Sequence, residues 1–132
     1  MTEVHDLTDL QLALMRVLWR GPATTAEVHQ ALQAERPLAL TTVATLLSRL
    51  EQKGAVAREA GPRPFRYRAA VGEPEVRRTM VGSLAERLFG GDATLLMSHL
   101  LGSGAVGADD VDKVRALVDE WEKTLEAGHD DR

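Results

Sequence analysis

The chain has 132 residues, 44% of them hydrophobic and 27% charged, with a net charge of -4 and no cysteine. That length fits one compact domain, or one small domain carrying a helical extension that needs a partner to cover its apolar face. Without cysteine there is no disulfide framework, thiolate metal site or cysteine nucleophile, and aromatics at 4% leave Leu, Val and Ala to do the packing.

The first predicted element is a helix over about residues 8–20. Thr8-Asp9-Leu10-Gln11 has the spacing of a capping box, and Leu10, Leu14, Val17 and Leu18 recur at helical period until Gly21-Pro22. Thr24-Thr25-Ala26-Glu27 repeats the box ahead of a short second helix with Val28, Ala31 and Leu32 on its apolar face, ending before Pro37. A third helix follows, with Thr41 or Thr42 as its expected cap. Val43, Leu46, Leu47 and Leu50 fall at i, i+3, i+4 and i+7, and Gly54 is placed to close it.

Beyond Gly54 the period shortens to two. Residues 55–59 and 65–69 read as strands of a hairpin around Ala60-Gly61-Pro62-Arg63-Pro64. In the second strand Phe65, Tyr67 and Ala69 alternate with Arg66 and Arg68, so one face is expected to pack on the helices while the other presents guanidinium groups.

From Gly72 the pattern is helical again. Val76, Met80, Leu84 and Leu88 lead to a break at Gly90-Gly91, and a short helix then carries Leu95, Leu96, His99 and Leu100. In the last helix Val111, Val114, Val118, Trp121 and Leu125 form an a/d seam. Trp19 and Trp121 are expected as packing anchors, and the acidic end Asp130-Asp131-Arg132 as a frayed terminus.

Three short helices and a hairpin are the order of a winged helix-turn-helix, so the expected fold is mainly α with a small β-hairpin: a winged-helix DNA-binding domain over 1–71 and a helical dimerisation region over 72–132. If the apolar stripe of the third helix faces the core, Thr41, Thr42, Thr45, Ser48, Arg49 and Gln52 point outward, as short or flexible hydrogen-bonding groups suited to phosphates and base edges. Charge agrees with this placement. Residues 1–70 are net +2, residues 71–132 net -6, and the stretch from Arg49 to Arg68 holds six basic residues, Lys53 among them, against two acids. Clustered positive charge is what a polyphosphate attracts. Arg63, between two prolines that limit the freedom lost on binding, is the expected wing-tip contact, with Arg66 and Arg68 beside it. Met80, Leu84, Leu88, Leu96, Leu100, Val111, Val114, Val118, Trp121 and Leu125 form the expected dimer seam, which would pair two recognition helices on a two-fold site.

Other chemistry finds little footing. His5, His29, His99 and His129 are scattered one per segment, which gives no metal site, and no nucleophile motif, phosphate loop or dinucleotide fingerprint occurs. Neither cofactor nor enzymatic activity is expected. No apolar run approaches the ~20 residues that span a bilayer, and the acidic N-terminus lacks a signal pattern, so the chain is read as cytoplasmic, without membrane insertion. Two alternatives to DNA binding stand beside it: a protein-interaction module using the same faces, and a regulator holding a small ligand between the tail helices.

Leu7-Thr8-Asp9 through Met15-Arg16-Val17-Leu18-Trp19, Thr42-Val43-Ala44-Thr45-Leu46-Leu47-Ser48-Arg49-Leu50 with Lys53-Gly54-Ala55, and Phe65-Arg66-Tyr67 together resemble the penicillinase-repressor family of the BlaI, MecI and CopY type. The resemblance implies a homodimeric repressor on double-stranded palindromic operator DNA, relieved by proteolysis in the dimerisation region through a membrane sensor metalloprotease. His99-Leu100 stands where family members commonly have Asn-Phe, and Ala44 where some relatives carry a basic residue. The cysteine cluster of the copper-responsive branch is absent.

Overall fold

A computed structural model of the chain describes residues 6–130. His5 and the end at Asp131-Arg132 lie outside the described residues, as does the side chain of His129. The elements run α1 (Asp9–Leu18), β1 (Ala23–Thr24), α2 (Thr25–Leu32), α3 (Leu40–Lys53), β2 (Val56–Arg58), β3 (Arg66–Ala69), α4 (Glu73–Phe89), α5 (Ala93–Gly102) and α6 (Ala108–Asp130). They divide into two compact units, one through Leu84 and one from Ala85.

Both capping boxes form. The Gln11 amide N–H donates to Thr8 Oγ1 at 3.2 Å, and the Thr8 N–H donates to Gln11 Oε1 at 3.0 Å. Thr24 and Glu27 repeat the exchange at 3.2 and 2.8 Å. Each box satisfies two amides at a helix start that have no partner within the helix. The third helix begins differently. Its N-cap is Ala39, which has no side-chain hydrogen bond to offer, so Thr41 and Thr42 sit inside the first turn rather than capping it. At its other end Gly54 turns left-handed at φ 85°, its N–H donating to the Glu51 carbonyl at 3.0 Å while the Ala55 N–H reaches back to the Leu50 carbonyl at 2.9 Å. That pair of bonds is a Schellman closure, which a Cβ at Gly54 would strain.

The sheet has three strands, not the two of a simple hairpin. It is ordered β1-β3-β2 and antiparallel throughout, with Ala23 opposite Tyr67 and Val56 opposite Ala69. Ala23-Thr24 is too short to show a period, but it caps the free edge of β3 and joins α2 directly to the wing. Tyr67 and Ala69 pack against the core, whereas Arg66 and Arg68 are exposed, as the alternation requires. Phe65 departs from it: β3 starts one residue later, and Phe65 is absent from the residues packed on the core.

The core of the first unit is aliphatic. Leu14, Met15, Leu18 from α1, Val28 and Leu32 from α2, and Val43, Leu46, Leu47 and Leu50 from α3 close on one another. Trp19 anchors the rim of this core, its Nε1 donating to the Val71 carbonyl at 2.9 Å. Val76 of α4 is buried in the same cluster, with Met80 packed beside it. The first compact unit therefore runs past residue 71 into α4, and Met80, expected in the tail seam, packs on the winged-helix core. In the second unit, the Asp92 carboxylate caps α5 by accepting from the Leu95 N–H at 3.0 Å, and the Phe89 and His99 rings lie 5.2 Å apart. None of the described side chains of α5 or α6 is buried within the chain, and Trp121, expected as an anchor, is 62% exposed.

Two outcomes follow from this packing. Leu47 is fully buried at the junction of the three helices, so Leu47→Ala is expected to cost about 2–5 kcal/mol of stability in urea denaturation. The Glu27 carboxyl is held below its ordinary value of 4.5, first by the Thr24 backbone N–H, then by the Thr24 hydroxyl and by Arg66. A carboxylate lowered by folding contributes stability above its unfolded value and loses it as pH falls through the lower folded value. Thermal melting between pH 6 and pH 3 should therefore show a steeper loss for the parent than for Glu27→Gln (roughly the carboxylate range); parallel profiles would remove Glu27 from the acid response.

Candidate nucleic-acid interface

The stripe that buries Val43, Leu46, Leu47 and Leu50 forces the rest of α3 outward. Thr41, Thr42, Ala44, Thr45, Ser48, Arg49 and Gln52 are all exposed. No acid lies among them, and the one carboxylate of the helix, Glu51, is turned to the side, where its Oε2 accepts from Arg58 Nε at 3.0 Å. The Thr45 hydroxyl donates to the Thr41 carbonyl at 3.0 Å, leaving its oxygen free to accept. At the first turn Leu40 is half exposed, an apolar group beside the polar row that the periodicity did not single out.

The loop entering α3 is held by α2. His29 Nε2 lies 2.9 Å from the Leu38 carbonyl, and Gln33 Nε2 donates to the same oxygen at 3.0 Å. These bonds fasten the turn between the two helices, so the start of α3 is placed by α2. The end of α3 is fastened too. Lys53 Nζ donates to the Asp6 carbonyl at 3.0 Å and to Gln11 Oε1 at 3.3 Å, tying α3 to the segment before α1 and to α1 itself. Lys53, expected as a DNA ligand, is half-buried and gives two of its three N–H donors to these contacts. Arg49 and Gln52 line an open cleft of about 400 Å³ with Gln11 and Lys53.

The arginines of the hairpin divide in the same way. Arg66 Nη2 donates to the Pro22 carbonyl at 2.9 Å, and Nη1 lies 3.8 Å from Glu27 Oε1, so this side chain bridges the wing to the start of α2. Arg58 is taken by Glu51. Arg63 is exposed at the turn and meets no carboxylate among the described residues; its guanidinium lies over the Phe65 ring. Arg68 is exposed on the outer face of β3. The exposed row of α3 with Arg49 and, from the wing, Arg63 and Arg68 are the candidate contacts these pairings leave.

The tail residues Leu84, Leu88, Leu100, Val114, Val118, Trp121 and Leu125 are exposed, with Leu96 and Val111 half-buried. His99 and Leu100 are exposed inside α5. Among the described residues no group of acids and histidines could hold a metal ion, and no helix is long and apolar enough to cross a membrane.

Known proteins match this arrangement. The profile of the family described as "Penicillinase repressor" matches residues 7–120. A relative named "Transcriptional regulator BlaI" from Mycobacterium tuberculosis is 38% identical over all of this chain and 94% of its own length. The "Penicillinase repressor" of Bacillus licheniformis is 22% identical over 91% of this chain and 94% of its own. Among solved structures, RosR of H. salinarum aligns with a TM-score of 0.52 at 17% identity, covering 92% of this chain and 99% of that one, a likeness of fold alone. With a winged helix at its front and a match running from Leu7 to Glu120, midway along α6, the chain belongs to the penicillinase repressor family.

Proposed function

We propose that the chain represses transcription as a homodimer, each copy laying α3 in the major groove of a palindromic operator with the wing alongside. The observation that carries this reading is the outer face of α3: exposed, polar, free of acids and bordered by Arg49. Threonine and serine hydroxyls and a glutamine amide can meet base edges or phosphates, and a guanidinium can read guanine in two-pronged fashion. The uncapped start of α3 leaves backbone donors that a phosphate oxygen could accept from. Arg49, Arg63 and Arg68 are the side chains we assign to DNA, whereas Lys53 and Arg66 position the elements that carry them.

Dimerisation is supported by the tail. Val114, Leu117, Val118, Trp121 and Leu125 form an apolar stripe along α6 that the chain does not cover, and a second copy offers the same stripe in return. Two copies would present two α3 helices to half-sites about one helical turn apart. The family resemblance adds derepression by a membrane sensor metalloprotease at His99-Leu100. That bond lies within α5, so cutting it would require the helix to open first.

Tested by fluorescence anisotropy on the tightest duplex selected from a random-sequence pool, Arg49→Ala and Arg63→Ala should each weaken binding by about 10- to 100-fold, a cost of about 1–3 kcal/mol. Sedimentation should show both variants as intact dimers, and the salt dependence should shallow. Lys53→Ala should lower the melting temperature while leaving the salt slope of the parent. If both arginine variants bind like the parent, the assigned surface is wrong. In sedimentation velocity, Trp121→Ala should shift the dimer toward monomer at low micromolar concentration (roughly, for the loss of a large aromatic anchor at an interface); an unchanged dimer would place the interface elsewhere.

A further inference from the structure

We infer that Phe65 is a positioning residue of the DNA interface, whose ring holds the Arg63 guanidinium at a set place on the wing; the inference rests on the operator-binding reading above. Phe65 stands just before β3, half-buried yet outside the set of residues that pack on the core, so core packing does not account for its ring. The Arg63 guanidinium lies 5.3 Å from the ring centroid and that of Arg58 lies 5.0 Å from it. Both fall within the ~6 Å over which a cation is attracted to an aromatic face. Arg58 is in turn paired with Glu51 of α3 at 3.0 Å. A continuous chain of contacts therefore runs from the recognition helix to the wing: Glu51, Arg58, Phe65, Arg63.

The charges along this chain differ in a way that bears on function. Glu51 neutralises Arg58, while Arg63 has no carboxylate partner among the described residues. A stacked guanidinium keeps its N–H donors at its edge, open to a phosphate or base oxygen. An unsupported arginine would lose rotamer freedom on binding, whereas one already resting on a ring has surrendered much of it in the free protein. Because Arg58 is anchored to α3, the ring is held relative to the recognition helix, and the spacing between the two DNA-reading elements is set before DNA arrives.

The test uses the full chain, the selected duplex and the substitutions Phe65→Leu and Phe65→Trp, each in the parent and in the Arg63→Ala background, together with NMR of the Arg63 δ protons in the DNA-free protein. The δ protons should be shifted upfield by the ring in the parent and in Phe65→Trp, and return to ordinary values in Phe65→Leu. Phe65→Leu should weaken binding by roughly 2- to 5-fold, the size expected of an exposed cation–aromatic contact, while Phe65→Trp binds like the parent. In the Arg63→Ala background Phe65→Leu should cost nothing further. Equal losses from Phe65→Leu with and without Arg63, or unshifted δ protons in the parent, would overturn the positioning role even where the parent binds DNA. A parent that binds no duplex would overturn the operator reading and this role with it.

Discussion

The packing of the apolar stripe of α3 against α1 and α2 governs the rest of the molecule's surface. Four buried aliphatic side chains on one side of the helix leave its other side no choice but to face solvent, and that side carries hydroxyls, an amide and a guanidinium with no acid among them. The helix is pinned at both ends, by His29 and Gln33 at the Leu38 carbonyl and by Lys53 and the left-handed Gly54 at its close. A helix held this way presents its outer row as a rigid unit, so binding loses little backbone freedom.

Charge is used sparingly around this frame. Of the basic residues between Arg49 and Arg68, Lys53, Arg58 and Arg66 are drawn into contacts that assemble the domain. Those left facing outward are few, yet all belong to α3 and the wing, and local charge counts for more than an overall charge of -4 in deciding where a polyphosphate settles. What the tail offers is apolar area along α6, whose exposed Trp121 and its neighbours are costly to leave in water, which is why a second copy is proposed to cover them.

Much of this is legible in the sequence because it is written locally. The capping boxes at Thr8 and Thr24, the stripe of α3, the Gly54 closure and the alternation of Tyr67 with its flanking arginines are set by neighbours within a turn or a pleat. What escapes a reading by period is set at long range. Strand β1 is two residues paired with β3 more than forty positions later, too short for any pattern. The start of α3 at Ala39 depends on the turn held by His29, so the nearby threonines look like caps and are not. Charge counting likewise cannot see that Lys53 and Arg66 reach the carbonyls of Asp6 and Pro22. Met80 shares a helical period with Leu84 and Leu88, but the first turns of α4 lie on the winged-helix core, and only the fold distinguishes them.

The central claim, that two copies of α3 read one symmetric DNA site, is tested most directly by selecting bound duplexes from a random-sequence pool at several salt concentrations. The account predicts enrichment of a two-fold-symmetric sequence whose half-site centres lie about one helical turn, or a multiple of it, apart, bound at least ~10³-fold more tightly than a shuffled duplex. A pool that yields no enriched sequence even at low salt, or only isolated single half-sites, would contradict it.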